Sequence, residues 1–418
     1  MKTKNILAYI LLFSSLLFMA CNSFEEASDA GEVSEIDVKI SVQSLVPGVT
    51  SYEGFTITFK NVKYGTVYSS ELSESSITQL KVIPGIYQID VSGEFIDDSH
   101  DTYLLNGNKV NFPVVEDGVT IDITVNGLRK NDLMFKEIFY AGTANFYFRN
   151  QFYEIYNNSE DQIIYLDGVH FANLAPLTAT TKLPLWPEED GDRYVYAERV
   201  WKFPGNGTDY PLAPGESCVI SQFAANHQLP QYNPNSPING FSSEFEFNMD
   251  NANYPDQPAI DMTHVFYDGL ETKGSLPQYL TSVFGGAYVI FKPLAGDVYD
   301  PVNDLSMRTK DLSVTATKLY AKIPITYVMD AVEAGHNESM LTAKRVPAAL
   351  DKGMTYVGAT YNSQGVARKK IGEHKDGAPI LQDLNNSTED FDRGVVPEFR
   401  RYGSKMPSWN HTLPINKD

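Results

Sequence analysis

The chain has 418 residues, with 33 Lys plus Arg against 53 Asp plus Glu and a formal charge of −20. The longest basic run is Arg368-Lys369-Lys370, far short of the clustered cations needed to neutralise phosphates, so nucleic acid is excluded as a partner. Hydrophobic residues at 42% and charged residues at 21% exclude disorder for want of apolar material, and 25 Tyr with 23 Phe favour a half-buried, pleated architecture.

In chain order, Met1-Lys2-Thr3-Lys4 precedes an apolar stretch from Ile6 to Ala20 and then Cys21. A positive start followed by an apolar stretch shorter than the roughly 20 residues of a membrane span is the grammar of a secretory signal. Phe18-Met19-Ala20-Cys21 resembles a bacterial lipobox, with Phe18 where Leu is usual. That resemblance implies a lipoprotein signal peptide over 1–20 and a lipid on Cys21 that holds the protein to a membrane. Residues 21–34 are small, polar and acidic, which predicts a flexible tether. Early acids after a lipidated cysteine resemble the surface-export signal of Bacteroidetes lipoproteins, implying an outer-membrane, lipid-anchored, surface-facing protein. A plain acidic linker on a periplasm-facing protein is the other reading.

From Ile36, alternation of Ile36, Val38, Ile40 and Val42 with polar residues predicts a strand. Similar short signals around 55–59, 65–68, 86–91 and 119–125, separated by Gly, Pro and Asn, predict a β-sandwich over 35–126. Leu80-Lys81-Val82-Ile83-Pro84-Gly85-Ile86-Tyr87 resembles the Pro-Gly-x-Tyr hairpin of prealbumin-like or carboxypeptidase-regulatory-like modules, which are structural or accessory binding units. The polar break at Asn126-Gly127-Leu128-Arg129-Lys130-Asn131-Asp132 marks a boundary.

Residues 131–418 open with an apolar strand ending at Gly142, then Phe152-Tyr153-Glu154-Ile155-Tyr156 and an Asn-Asn-Ser turn at 157–159. With Pro214-Gly215 before Ser217-Cys218-Val219-Ile220, Asp330-Ala331-Val332-Glu333, the candidate Arg368 and the closing segment from Asp383, they resemble lamin-tail-type β-sandwich domains. The fold expected is therefore all-β, two tandem Ig-like β-sandwiches, the second enlarged by loop insertions at about 172–210 and 227–281. The whole arrangement resembles an uncharacterised family of Bacteroidetes lipoproteins, known as a domain of unknown function. The lipobox, acidic tether, tandem sandwiches and missing catalytic motifs point to a non-enzymatic accessory or ligand-binding subunit, and the family resemblance implies a TonB-dependent outer-membrane barrel as its partner.

The residues offer no catalytic assignment. Cys218 sits in an apolar run without a supporting base and reads as a small buried hydrophobe. The seven His form no zinc pattern, so no metal ligand and no cofactor is assigned. Oxygen-rich loops at 97–101 and 187–192 are open to Ca²⁺, but neither has EF-hand spacing. No Gly-x-Ser-x-Gly elbow or phosphate-binding Gly-Lys-Ser/Thr loop occurs. Trp186, Tyr194, Tyr196, Trp201, Phe203 and Tyr210 form an aromatic set in the first insertion. Two readings stand for it. It is either a binding surface, as in a cell-surface adhesin or glycan-binding protein, or a staple that pins a long loop to the sandwich.

Overall fold

The computed structural model describes residues 34–410, apart from 99, 181 and 280. The signal peptide, Cys21 and almost all of the tether lie outside the described residues.

The first unit consists of strands Ile36–Ser44, Thr56–Asn61, Val67–Glu71, Ile77–Val82, Gly85–Ile96, Thr102–Val114 and Val119–Arg129. Thr102–Val114 pairs with Gly85–Ile96 along its length, but with Val119–Arg129 only over 103–106. The sheet therefore folds over on itself, and Val38, Ile40, Ile57, Phe59, Ile89 and Ile121 meet in one core. The alternation in Ile36–Ser44 and Val119–Arg129 matches this arrangement, because one face of each strand is buried and the other is wet. Tyr87 is fully buried and its hydroxyl donates to the Ile83 carbonyl at 2.6 Å, closing the Pro84-Gly85 turn.

The second unit is a sandwich of two larger sheets. One runs Ile260–Asp261, Phe245–Glu246, Ser217–Ser221, Phe152–Asn157, Leu133–Phe139, Gly365–Arg368 and Phe391–Val395. The other runs Arg308–Lys310, Leu319–Pro324, Tyr194–Lys202, His170–Leu174, Gly285–Phe291, Val328–Gly335 and Thr355–Tyr356, with Thr263–Tyr267 also paired to Tyr194–Lys202. Phe135, Tyr153, Ile220, Phe171, Trp201 and Tyr288 pack between them. The outer face of the second sheet is covered too, with Leu174, Val195, Val289 and Ile323 lying under Val346 and Leu350. The chain is thus nearly all β, of β-sandwich type.

The segments read as insertions need correction. Tyr194–Lys202 is an interior strand, hydrogen-bonded to its neighbours on both sides. Register shifts between Asn173 and Leu174, and between Val200 and Trp201, break the two-residue period there, and burial on both faces removes the polar alternation that marks a strand in sequence. Residues 227–281 likewise contribute Phe245–Glu246, Ile260–Asp261 and Thr263–Tyr267.

Charges are buried inside the second unit. Arg368 pairs with Asp330 at 2.8 Å and Asp383 at 3.1 Å, lies 3.6 Å from Asp390, and donates to the Phe135 carbonyl. Burial alone would lower its pKa, but the three carboxylates outweigh burial and hold it above its usual value. Lys136 pairs with Glu154 at 2.9 Å, Arg345 with Glu333 at 2.7 Å and Arg401 with Glu137 at 2.7 Å. Each is a pair whose members are costly to bury singly.

Candidate functional site

The aromatic set from the sequence separates in space. Trp201 and Phe203 are fully buried in the core, and their place on a binding surface is corrected: the strand that carries Trp201 lies inside a sheet. Tyr196 is also buried, its hydroxyl donating to Asp190 at 3.1 Å. Tyr210 packs edge-on against Phe245 and Trp409. Trp186 stacks on Tyr196 with ring centres 4.2 Å apart and meets Tyr320 at 5.2 Å, so it pins the 182–187 segment to the sheet. Tyr194 remains partly exposed beside Lys322, whose ammonium lies 4.3 Å from its ring centre.

The acidic loops have structural partners. Asp190 is buried and pairs with Lys322 at 2.5 Å, while the Asp97 carboxylate accepts from the Asp101 backbone N–H at 2.9 Å. Glu246, Asp256 and Asp261 bring carboxylate oxygens within 4.8 Å of one another, a cluster that the sequence does not single out. Glu246 already accepts from the Ala224 and Gln257 N–H groups, and burial raises its pKa to about 7. Cys218 is fully buried, and burial pushes its thiol pKa well up, the reverse of what a nucleophile needs.

A groove of about 930 Å³ lies where the two units meet, with Leu45, Tyr103 and Arg129 from the first and Tyr165, Lys292 and Met329 from the second among its lining residues. Arg129 there is paired with Asp101 at 3.1 Å.

A different surface emerges at the opposite end of the second sandwich. Leu133 follows directly on the junction, and Leu133–Phe139 carries the chain about 20 Å away from it. Loops converge at that far end. Tyr361 and Ser363 donate backbone N–H groups to the Ala141 and Gly142 carbonyls at 2.7 and 3.0 Å. Asn233 donates to Thr143 Oγ1 at 2.6 Å, and Asn150 to Ser236 Oγ at 2.8 Å. Gln151 donates to the Tyr140 and Thr281 carbonyls at 2.6 and 3.2 Å, bringing in the 281–285 turn. Tyr147 and His227 share a 2.6 Å hydrogen bond, and burial lowers the His227 pKa to about 4, so its ring is neutral at physiological pH.

Phe146 stands out of this face at 76% exposure, with the Tyr361 ring edge-on at 5.1 Å and Phe148 also against Tyr361. Leaving a Phe in water forgoes about 1.5–3 kcal/mol. Its backbone is also left-handed, with φ of +58°, as are Asn145 at +64°, Tyr361 at +54° and Ser363 at +62°. Bulky side chains rarely adopt that conformation, and where they do a function often accounts for it. Phe284, 46% exposed, extends the face and packs on His336.

The composition of these loops differs from the rest of the chain. No Asp, Glu, Lys or Arg occurs from Ile138 to Phe148, from Ser217 to Ser243, from Gly274 to Phe291 or from Gly353 to Ala367, although such residues make up 21% of the protein. Asn, Gln, Ser, Gly and aromatic residues replace them, the composition of surfaces that bind by contact rather than by charge. The uncharged runs were the sequence signal for this face, but they are separated in the chain and only the fold unites them.

The model of the family described as a protein of unknown function, DUF4876, matches residues 213–398. A crystal structure of a DUF4876 family protein from Bacteroides thetaiotaomicron is 56% identical, with a TM-score of 0.67, covering 90% of this chain and 100% of that one. A Bacteroides ovatus structure described as a candidate adhesin is 17% identical, with a TM-score of 0.18, covering 36% of this chain and 56% of that one, too distant to bear on fold or function. No curated protein matches. The chain belongs to the DUF4876 family.

Proposed function

We propose that this protein is a non-enzymatic, lipid-anchored binding protein of the outer-membrane surface, which captures an extracellular ligand on the far face of its second sandwich. The observation that carries this reading is the convergence of uncharged, aromatic loops around the exposed Phe146. The lipobox and acidic tether support anchoring through Cys21, with the first sandwich as a spacer between anchor and face. A TonB-dependent barrel receiving the ligand is the partner that the family resemblance suggests.

Two measurements test it. Native lipidated protein purified from outer membranes in mild detergent should bring down a barrel protein; recovery alone would remove the transporter half of the reading. Replacing Phe146 by Ala should abolish attachment of the protein to the extracellular material it binds, and unchanged attachment would remove the binding half.

A further inference from the structure

We infer that the ligand of the far face is an uncharged carbohydrate chain. This inference rests on that face being the binding surface and names what it binds.

The side chains presented there are of two kinds. Aromatic rings come from the exposed Phe146 and Phe284 and the half-buried Tyr361. Around them, Asn145, Gln228, Gln231, Asn235 and Asn239 are exposed primary amides. Each amide offers both a donor and an acceptor, which matches a sugar hydroxyl, itself both. The weakly polarised C–H face of a pyranose ring covers an aromatic ring without needing a charge. An anionic ligand would call for Arg or Lys, and the charge-free runs contain neither. Arg149 borders this face, but its guanidinium donates to Tyr254 Oη at 2.7 Å and lies 4.6 Å from the centre of that ring. A cationic ligand would call for carboxylates, and the runs lack those as well. The charges that border this face are engaged within the protein, Arg400 with Glu244 and Glu398 with Arg401, so the rings and amides between them favour a partner without charge.

The geometry suits a polymer lying across the face better than a small molecule held in a cavity. The rings stand on loops from separate parts of the chain, and those loops are tied to one another by the backbone bonds of Tyr361 and Ser363. The edge-on contacts of Phe146 and Phe148 with Tyr361 hold these rings against one another before binding, which lowers the entropy lost on association.

The test is affinity electrophoresis and calorimetric titration of the full mature chain. The probes are neutral polysaccharides (dextran, mannan, xylan, galactan, β-glucan) and acidic ones (polygalacturonate, alginate, chondroitin sulfate). We expect at least one neutral polymer to bind, no acidic polymer to bind more tightly, and affinity to change less than about twofold between about 0.05 and 0.5 M NaCl. Phe146→Ala and Tyr361→Asn should each weaken binding about tenfold or more. Asn tolerates the left-handed backbone at 361, so loss there reports the ring. Preference for acidic polymers with strong salt dependence would overturn the inference while leaving the face in place. Binding of a neutral polymer unaffected by both variants would overturn the face itself. Failure of every polysaccharide, with a protein captured through Phe146 instead, would overturn the carbohydrate assignment and keep the proposed function.

Discussion

The two ends of the second sandwich are built on the same strands but differ in chemistry. At the end facing the first unit, Arg368 is locked to Asp330 and Asp383, Asp167 accepts three backbone N–H groups from Gly207, Asp209 and Tyr210, and Lys292 borders the groove. At the far end, long runs of sequence hold no charged residue and the most exposed ring is Phe146. Charge at the first end fixes structure and keeps solvent engaged. At the other, runs without charge leave rings and amides as the groups presented. The contrast teaches that a face can be specified by the charges it omits.

The largest expected effect lies at the charged end. Arg368→Leu strands three buried carboxylates and should cost about 3–5 kcal/mol, read as a lowered denaturation midpoint for the second unit. A loss below about 1 kcal/mol would show that these charges do not hold that end together. Between the two ends, Trp201→Ala should cost about 3–5 kcal/mol by opening a cavity between the sheets, and an exposed Trp201 would instead show a loss of about 0.5 kcal/mol.

At the far end, Gly142→Ala places a Cβ 2.7 Å from the Tyr147 carbonyl oxygen, on a backbone with φ of +69°. It should cost more than about 1 kcal/mol and weaken binding by displacing the 143–148 loop, as measured by chemical denaturation alongside titration. Phe146→Ala, by contrast, should leave stability within about 0.5 kcal/mol while removing binding. That separation of stability from binding is the sharpest distinction between the ends.

Stability should also depend on pH in a defined direction. Burial raises Glu137, Glu244 and Glu246 to about 7, from an ordinary 4.5, and pushes Asp330 and Asp390 up against the lowering pull of Arg368. Such groups contribute stability that is complete below their unfolded pKa and lost as pH rises through the folded one. His170 is lowered to about 3, and His227 and His264 to about 4, all by burial. Their contribution is complete above about 6.5 and lost as pH falls toward 4. The carboxylates outnumber the histidines, so the midpoint should fall as pH rises from about 5 to about 8. A midpoint that rises over that interval would place the carboxylates in wetter surroundings than those described.

Much of the fold was legible in the sequence. Strands wet on one face, such as Ile36–Ser44, announce themselves by alternation. Strands buried on both faces do not, which is why Tyr194–Lys202 falls within an expected insertion and why Trp201 and Phe203 stand among the candidate binding residues. The groups around Arg368 were legible as motifs but not as one network, since Asp330 and Arg368 stand on different sheets and meet only across the sandwich. The far face was hidden for a similar reason. Each uncharged run is ordinary alone, and their meeting depends on bonds such as that from Asn233 to Thr143.

The most direct measurement compares retention on immobilised neutral polysaccharide for the unaltered chain, the Phe146→Ala/Tyr361→Asn double variant and Trp186→Ala, with melting temperatures recorded in parallel. The account predicts binding by the unaltered chain and by Trp186→Ala, and loss by the double variant without a change in melting temperature. Retention of the double variant together with loss on Trp186→Ala would contradict it and move the binding surface to the side of the sandwich.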